Sequence, residues 1–535
     1  MFRRDFLRLA GAASSAAIMV AAGMSGPAMA NEGGTLRFVA QADLANFDPI
    51  WGTAYVVRNA AVLVWDTLYG VDSNLQPQPQ MVETGAVSDD GLVWSFKLRP
   101  GLKFHDGAPV TSRDVVASLN RWKVRDVMGQ RIAEVEEGLE AIDDLSFEWR
   151  LKEPFPKMLF ALGKANAPCA FIMPERIAQI DPFEQITEYI GSGPMRFVVD
   201  EWQIGALAVF EKFEDYVPRE EPASWLAGGK RISFDRIEWH WIPDAATAVG
   251  ALQNGEVDWL ERPLPDLKPI LEADPNISFG VADALGMVNG VRLNHLQPPF
   301  SDVRVRRALM MAINQEDYMT AIVGADDTLW KPMASYFTPG TPLYNEVGGD
   351  ILKGPRDIDA ARALIEEAGF AGHSVTLMVA QELPDNKAMG DVTADLLTRL
   401  GFNVDYVATD WGSIQARRQL KTPPSEGGWN IFQSGHSGTD TANPAAYIGL
   451  RAGGEDNAWF GWPDVPEVQD GIAEWYAATT PEEEFAAAER INQAAMDGVV
   501  FGLAGFYVTN QAWRNNLQGI VSAPLPIFWD VTKTN

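Results

Sequence analysis

One stretch of the sequence, residues 429–462, combines small polar side chains with large aromatic ones. Its centre, residues 434–441, has too little apolar area to build a core. Small polar groups inside an aromatic frame are typical of a pocket for a polar small molecule, because aromatic faces supply contact area and a few polar groups fix the orientation. We therefore predict a ligand site here. The aromatic frame consists of Trp429, Phe432, Tyr447, Trp459, Phe460 and Trp462.

Asp440 is the one acidic residue between Gln433 and Pro444. A single carboxylate in a polar pocket predicts an anchor for a cationic group on the ligand. Ser434, in the same polar run, is a further candidate for ligand contact. The same residues also fit a surface loop between a short strand over 429–432 and a helix, with Asp440 as a cap or turn residue. These residues alone leave both interpretations open.

The remaining chemistry of the sequence argues against several functions. Residues 435–439 come close to a nucleophile elbow, but Thr439 takes the place of its last glycine. A single cysteine, Cys169, and five scattered histidines argue against a disulfide and against a thiolate or histidine-cluster metal site. The net charge of −29 argues against nucleic acid or an anionic membrane surface as a partner. We therefore predict a protein that is not an enzyme and holds no metal or cofactor.

The N-terminal residues carry an export signal. Arg3 and Arg4 precede an apolar run over 9–24, and Ala28-Met29-Ala30 supplies a cleavage site. The paired arginines are typical of the twin-arginine signal, which exports folded proteins. We predict a signal peptide over 1–30, cleavage near Ala30, and a soluble protein in a Gram-negative periplasm.

Hydrophobic patterns divide the rest of the chain. Leu92, Trp94, Phe96 and Leu98 alternate with polar residues, as do residues 145–151, which predicts half-buried antiparallel strands in a small sheet. By contrast, a strand over 374–380, a helix over 386–400 and a strand over 402–409 predict a parallel βαβ unit. We therefore predict a mixed α/β protein with two α/β lobes and a sheet-rich insertion over 71–190.

Several blocks of the sequence resemble the family 5 extracellular solute-binding proteins of ABC importers, which include peptide-, nickel- and opine-binding proteins. The strongest block runs from residue 94 to 107 (WSFKLRPGLKFHDG), and two others cover 299–308 (PFSDVRVRRA) and 361–370 with 401–404. Together with residues 191–194 and 252–258, these blocks span most of the chain.

The resemblance implies a type II periplasmic-binding-protein fold. Lobe I would comprise residues 31–288 and 505–535, with 71–190 as an inserted subdomain, and lobe II would comprise 289–504. The two crossings between the lobes would form a hinge, and a solute would be enclosed when the lobes close. The implied partner is an ABC permease complex in the inner membrane, and the implied state is a monomer.

The resemblance also bears on the site. In peptide-binding members, an aspartate in such a loop holds the α-ammonium group of the ligand, and Asp440 matches that position. Trp411 is a further candidate for stacking on the ligand, and Arg451 for binding a carboxylate. We expect a peptide-like solute, with an opine, an oligosaccharide or another non-peptide solute as alternatives and a secreted hydrolase as a remote one. The predicted contact residues are Asp440, Trp429, Phe432, Ser434, Trp411, Tyr447, Arg451 and Trp459.

Overall fold

The structure is a computed structural model that describes residues 34–324 and 326–534 and the backbone of residues 30–31. The predicted signal peptide therefore lies almost entirely outside the described residues. Within the described part of the chain, no helix is both long enough and apolar enough to cross a membrane.

One mixed sheet of 11 strands runs through both lobes. Its two longest strands, Ile277–Leu293 and Gly502–Arg514, pair antiparallel in the middle and extend into each lobe. Both strands are largely buried where they pass through lobe II. From edge to edge the strands are Asn403–Thr409, Ser374–Ala380, Ile431–Ser437, Ile277–Leu293, Gly502–Arg514, Trp259–Leu260, Thr35–Val39, Arg236–His240, Leu207–Lys212 and Met195–Phe197, and Trp330–Lys331 pairs with Gly502–Arg514.

The lobe II half of the sheet contains the predicted βαβ unit. Strand Ser374–Ala380, helix Pro384–Arg399 and strand Asn403–Thr409 follow each other, and the two strands pair in parallel, which confirms the prediction. Strand Ile431–Ser437 adds to the same sheet in parallel, so the carboxyl ends of these three strands lie at one edge. The helices on this side are Val303–Ala312, Gln315–Val323, Ile358–Glu367, Pro384–Arg399, Trp411–Arg417, Gly454–Asn457, Pro466–Ala477 and Pro481–Gly498.

The lobe I half is built around strand Thr35–Val39, which pairs in parallel with Arg236–His240 and Trp259–Leu260. The intervening helix, Ala245–Asn254, begins after Asp244, whose carboxylate accepts the Thr247 N–H at 2.7 Å. It ends at Gly255, which adopts the left-handed conformation that favours glycine. Among the described residues before 277, the other helices are Tyr55–Val64, Ser112–Arg125, Val127–Val135, Met158–Gly163, Glu175–Ala178 and Lys268–Glu272.

The predicted insertion contains an antiparallel sheet of four strands. The side chains of Trp94 and Trp149 pair across neighbouring strands, and both are buried, as the alternating pattern predicts. Helix Ser112–Arg125 begins with a capping box between Thr111 and Asp114. The strands are Val82–Val87, Val93–Leu98, Ser146–Leu151 and Glu136–Ala141, and two smaller sheets pair Tyr69–Val71 with Pro77–Pro79 and Ala30–Asn31 with Thr532–Thr534 and Leu517–Gln518.

The two long central strands lose their regular register where they pass from one lobe to the other. Asp283 pairs with Thr509 and Met287 with Tyr507. Between these two pairs the first strand advances by four residues and the second by only two. Gly286 lies in this bulge at φ +55°, and a Cβ there would stand 2.2 Å from the Tyr507 carbonyl oxygen. Bulges bend a strand locally, which suits a hinge. The lobe boundaries stay a prediction.

Candidate functional site

The polar run of lobe II is not the surface loop that one interpretation of the sequence offered. The strand does not end at Phe432 but continues to Ser437, pairing with residues 287–293 of the central strand. Pairing of the backbone requires no apolar side chains, so the small polar residues continue the sheet. Ser434, Ser437 and Thr439 are each about 5–6% exposed, and no helix follows them directly.

Asp440 lies just beyond this strand, between the two lobes. Its Oδ2 accepts a hydrogen bond from the Tyr55 hydroxyl at 2.5 Å, and its Oδ1 accepts one from the Asn166 side-chain amide at 2.5 Å. Both donors belong to the lobe I side, and both are neutral. Within the described part of the chain, Asp440 forms no ion pair with lysine, arginine or histidine. Among the residues described, the side-chain groups that contact this carboxylate are therefore neutral hydrogen-bond donors.

Two neighbouring side chains respond to this environment. Burial, with the nearby Asp440 carboxylate second, raises the pKa of Tyr55 well above its usual value, so the hydroxyl stays a donor at neutral pH. Burial lowers the pKa of His436 to about 4, although Asp440 acts in the opposite direction. His436 is therefore neutral at neutral pH and does not compensate the charge of Asp440.

The predicted aromatic residues fall into two groups. Trp429 and Phe432 are 0% exposed and pack against each other with ring centroids 5.0 Å apart, within a cluster that includes Trp462. Their burial favours a packing role over the ligand contact that the sequence suggests. Trp411 and Trp459 are half-buried and keep accessible surface.

The other predicted residues occupy different surroundings. Tyr447 is fully buried beside His436, with ring centroids 5.5 Å apart, and its hydroxyl has no hydrogen-bond partner in the described structure. Ser434 is buried in the strand. Arg451 is half-buried close enough to Tyr476 to influence its pKa, at the side of lobe II that meets the insertion. For all eight predicted residues, contact with a ligand stays a prediction.

Arg418, which directly follows helix Trp411–Arg417, is not among the residues predicted from the sequence. Its guanidinium carbon lies over four aromatic rings, and its side chain makes no hydrogen bond or ion pair with the residues described. The neighbouring Arg417, by contrast, donates to the Gly427 and Gly428 carbonyls. Burial lowers the pKa of Arg418. The centroid distances are 4.4 Å to Phe460, 5.3 Å to Trp459, 5.4 Å to Trp411 and 5.9 Å to Phe432.

Two cavities lie between the lobes beside the hinge. A cavity of about 70 Å³ is lined by Tyr55, Ser437 and the charged side chains of Arg58, Glu261 and Asp283. A cleft of about 360 Å³ separates residues 262–265 of lobe I from residues 383–386 of lobe II. Both share Gln41 and Arg262, so they meet at the hinge strands.

A second contact between the lobes crosses this cleft. Arg262 of lobe I forms an ion pair with Asp385 of lobe II at 3.2 Å, and its guanidinium also donates to the Tyr507 hydroxyl at 2.8 Å. The Tyr507 hydroxyl in turn donates to Asp385. The lobes therefore have a second polar contact, apart from the one at Asp440.

These features define a class of protein: two α/β lobes, joined by two crossing strands, that enclose polar cavities between them. The family to which the chain belongs follows from its sequence. Residues 76–458 match the family described as bacterial extracellular solute-binding proteins, family 5 Middle. The chain belongs to this family.

Three similar proteins illustrate the relationship. The chain is 35% identical over 533 residues to a probable peptide ABC transporter periplasmic-binding protein, y4tO, from Sinorhizobium fredii, and the match covers 99% of both chains. Two solved structures share the fold at 20% identity and a TM-score of 0.76, with 94% of this chain and 99% of the other covered. They are AgaA from A. tumefaciens R10 in complex with agropinic acid and DppA from Helicobacter pylori in complex with the peptide STSA.

Proposed function

We propose that this protein binds a peptide-like solute with a free amino group between its lobes and delivers it to an ABC permease. The observation that carries the proposal is the carboxylate of Asp440, which lies between the lobes and has only neutral donors among the described residues. A partly buried charge without a counter-ion is costly, and an ammonium group would supply one. The 35% identical relative, named for a peptide transporter, supports the same ligand class.

Arg418 offers a place for the other end of such a solute. The faces of the aromatic rings attract the guanidinium without using its N–H donors, which lie in the guanidinium plane. These donors fit a carboxylate, which arginine binds through paired hydrogen bonds. A solute with an ammonium group at Asp440 and a carboxylate at Arg418 would therefore be a zwitterion, as an unmodified peptide is.

A calorimetric titration tests the proposal. The probes are trialanine, N-acetyl-trialanine and trialanine amide, titrated into the full mature protein and into Asp440→Asn. We expect trialanine to bind, the acetylated peptide to bind at least tenfold more weakly, and Asp440→Asn to lose this discrimination. Equal affinity for the free and acetylated peptides would contradict the role of Asp440.

An opine remains the second candidate, because one solved structure with this fold holds agropinic acid. Agropinic acid and maltotriose are therefore titrated in parallel with a wider set of di- to tetrapeptides. Binding of one of these two compounds, with no binding by any peptide, would replace the proposed solute class.

We propose further that the protein is a receptor without catalytic activity. Ser434 and Ser437 are the hydroxyls that a hydrolase would use, and neither is hydrogen-bonded to a histidine in the described structure. An activated serine needs such a base. Incubation with p-nitrophenyl acetate and with the tightest-binding peptide should release no product above the buffer rate, and turnover that Ser437→Ala abolishes would establish an enzyme.

We also propose that the protein works as a monomer in the periplasm after cleavage near Ala30. The family is one of extracellular proteins, which places its members outside the cytoplasm. N-terminal sequencing of the exported protein should begin near Asn31, and Arg3→Lys/Arg4→Lys should block export if the twin-arginine signal is used. Sedimentation should give the mass of a single chain.

A further inference from the structure

A short segment of the inserted subdomain, residues 155–166, touches lobe II. Helix Met158–Gly163 forms its middle. At its start, the Phe155 ring lies 6.0 Å from that of Tyr476, and the Phe160 ring lies 6.2 Å from that of Trp475. At its end, Asn166 donates to Asp440. A single segment therefore carries both an apolar contact with lobe II and a contact with the predicted ligand anchor.

Lys157 fastens this segment to lobe II. Its Nζ donates to Glu484 Oε1 at 2.5 Å and to the Ala478 carbonyl oxygen at 2.7 Å, and it lies 4.9 Å from the centre of the Trp475 ring. The lysine side chain is 6% exposed. An ammonium group at this depth is stable only while its partners surround it, because removing the partners leaves a buried charge without compensation.

Lys164, near the other end of the segment, forms its contacts within the insertion. Its Nζ donates to the Asn166 and Pro168 carbonyl oxygens at 2.7 and 2.9 Å and pairs with Asp126 at 2.8 Å. The backbone of Asn166 is thereby fixed while its side chain points to Asp440. Asn166 therefore contacts Asp440 from the same segment that Lys157 joins to Glu484 and Ala478.

We propose that Lys157 is a closure latch: its contacts with Glu484 and Ala478 hold the inserted subdomain on lobe II and position Asn166 against Asp440. When the lobes open, Lys157 gains solvent and Asp440 loses the amide donor in the same movement. The latch populates the closed arrangement even without a solute. It does not depend on which solute the protein carries.

Single-molecule fluorescence on the full mature protein without solute tests the latch. Dyes are placed on Ile142→Cys in the insertion, where the side chain is exposed, and on Asp359→Cys in lobe II, whose side chain is 93% exposed. The native Cys169 is 1% exposed, so labelling is selective. We expect a closed population in the parent protein and at least a tenfold lower closed-to-open ratio in Lys157→Met.

Two further variants separate the latch from a loss of folding. Glu484→Gln removes the negative charge of the partner, at a side chain that is 32% exposed, and should lower the closed-to-open ratio as Lys157→Met does. The double variant Lys157→Met/Glu484→Gln should have nearly the same ratio as Lys157→Met alone. Lys152→Met, at an exposed lysine just before the segment, serves as the matched control and should leave the ratio unchanged.

Three results would overturn the latch: a parent protein that is entirely open, an unchanged ratio in both Lys157→Met and Glu484→Gln, or an equal loss in Lys152→Met. Because no solute is present in the experiment, each of these outcomes is independent of the titrations that test the proposed function.

Discussion

The carboxylate of Asp440 and the hydroxyl of Tyr55 face each other between the two lobes, with 2.5 Å between Oδ2 and the phenol oxygen. Asn166 donates to the other carboxylate oxygen, so two groups of the lobe I side hold one group of lobe II. The same carboxylate that is expected to bind a solute is therefore also a contact between the lobes. Asp440 is therefore expected to take part in both solute binding and lobe closure.

Tyr55→Phe should weaken the binding of a peptide with a free amino group by roughly 10- to 150-fold, since a hydrogen bond to a charged group contributes about 1.5–3 kcal/mol. The variant keeps the ring and removes only the donor that orients Asp440. Calorimetry measures the change. Tyr344→Phe removes an equivalent tyrosine–carboxylate bond, to Glu346 at 2.6 Å, on an exposed surface, and should bind like the parent. Tighter binding by Tyr55→Phe would mean that Tyr55 competes with the solute.

Arg418→Gln should reduce the affinity for trialanine to that for trialanine amide, because the variant removes the charged donors proposed to bind the carboxylate. A tenfold change or more is expected. Arg451→Gln tests the alternative candidate from the sequence and should have a smaller effect. If Arg451→Gln erases the difference between acid and amide while Arg418→Gln preserves it, the carboxylate site has been assigned to the wrong arginine.

Trp429→Ala should lower the free energy of unfolding by about 3–5 kcal/mol, the usual cost of truncating a fully buried tryptophan or phenylalanine. Trp429 is 0% exposed and its indole N–H donates to the Arg418 carbonyl oxygen at 3.2 Å. Chemical unfolding measures this loss. Trp459→Ala, at a half-buried ring, should cost less stability. A Trp429→Ala protein of parental stability that binds solute poorly would restore the ligand-contact role that the sequence suggests.

Asp283→Asn should change the pH dependence of stability. Burial raises the pKa of this hinge carboxyl to about 6, above the value of about 3.9 expected in the unfolded chain. Between these values the folded protein binds more protons than the unfolded one, so this group's contribution to stability is lost as the pH rises through 6. Asp283→Asn should remove that loss and stabilise the protein at pH 7 by on the order of 1–3 kcal/mol.

Unfolding in urea at pH 4.5 and pH 7 measures the effect of Asp283→Asn against the parent. The control is Asp359→Asn, at a side chain that is 93% exposed, which should leave the difference between the two pH values as it is in the parent. A lower stability of Asp283→Asn at pH 7 would show that the charged form of Asp283 is favoured in the folded protein.

Much of the fold follows from local patterns in the sequence. The strand–helix–strand order of residues 374–409 depends on neighbours in the chain, and it is present as predicted. The extent of strand Ile431–Ser437 was wrong because it depends on a partner strand far away in the sequence. The glycine at position 438 is also required by a residue far away in the sequence, since a Cβ there would stand 1.6 Å from the Leu285 carbonyl oxygen.

The site was only partly predictable for the same reason. Asp440 stands out as a lone acid in a polar run, but its partners Tyr55 and Asn166 lie 385 and 274 residues away and carry no local signal. Arg418 offered one signal that could have been used, its spacing of seven residues from Trp411, which places both on one face of a helix.

The central claim is that a solute with a free amino group is held between the lobes at Asp440. Its most direct test is mass spectrometry of the small molecules released by denaturing the protein after purification from its native periplasm, compared with Asp440→Asn prepared in the same way. We predict a peptide-like compound with a primary amine, released by the parent and depleted in the variant. A compound without an amine, or equal amounts of the same compound from both proteins, would contradict the claim.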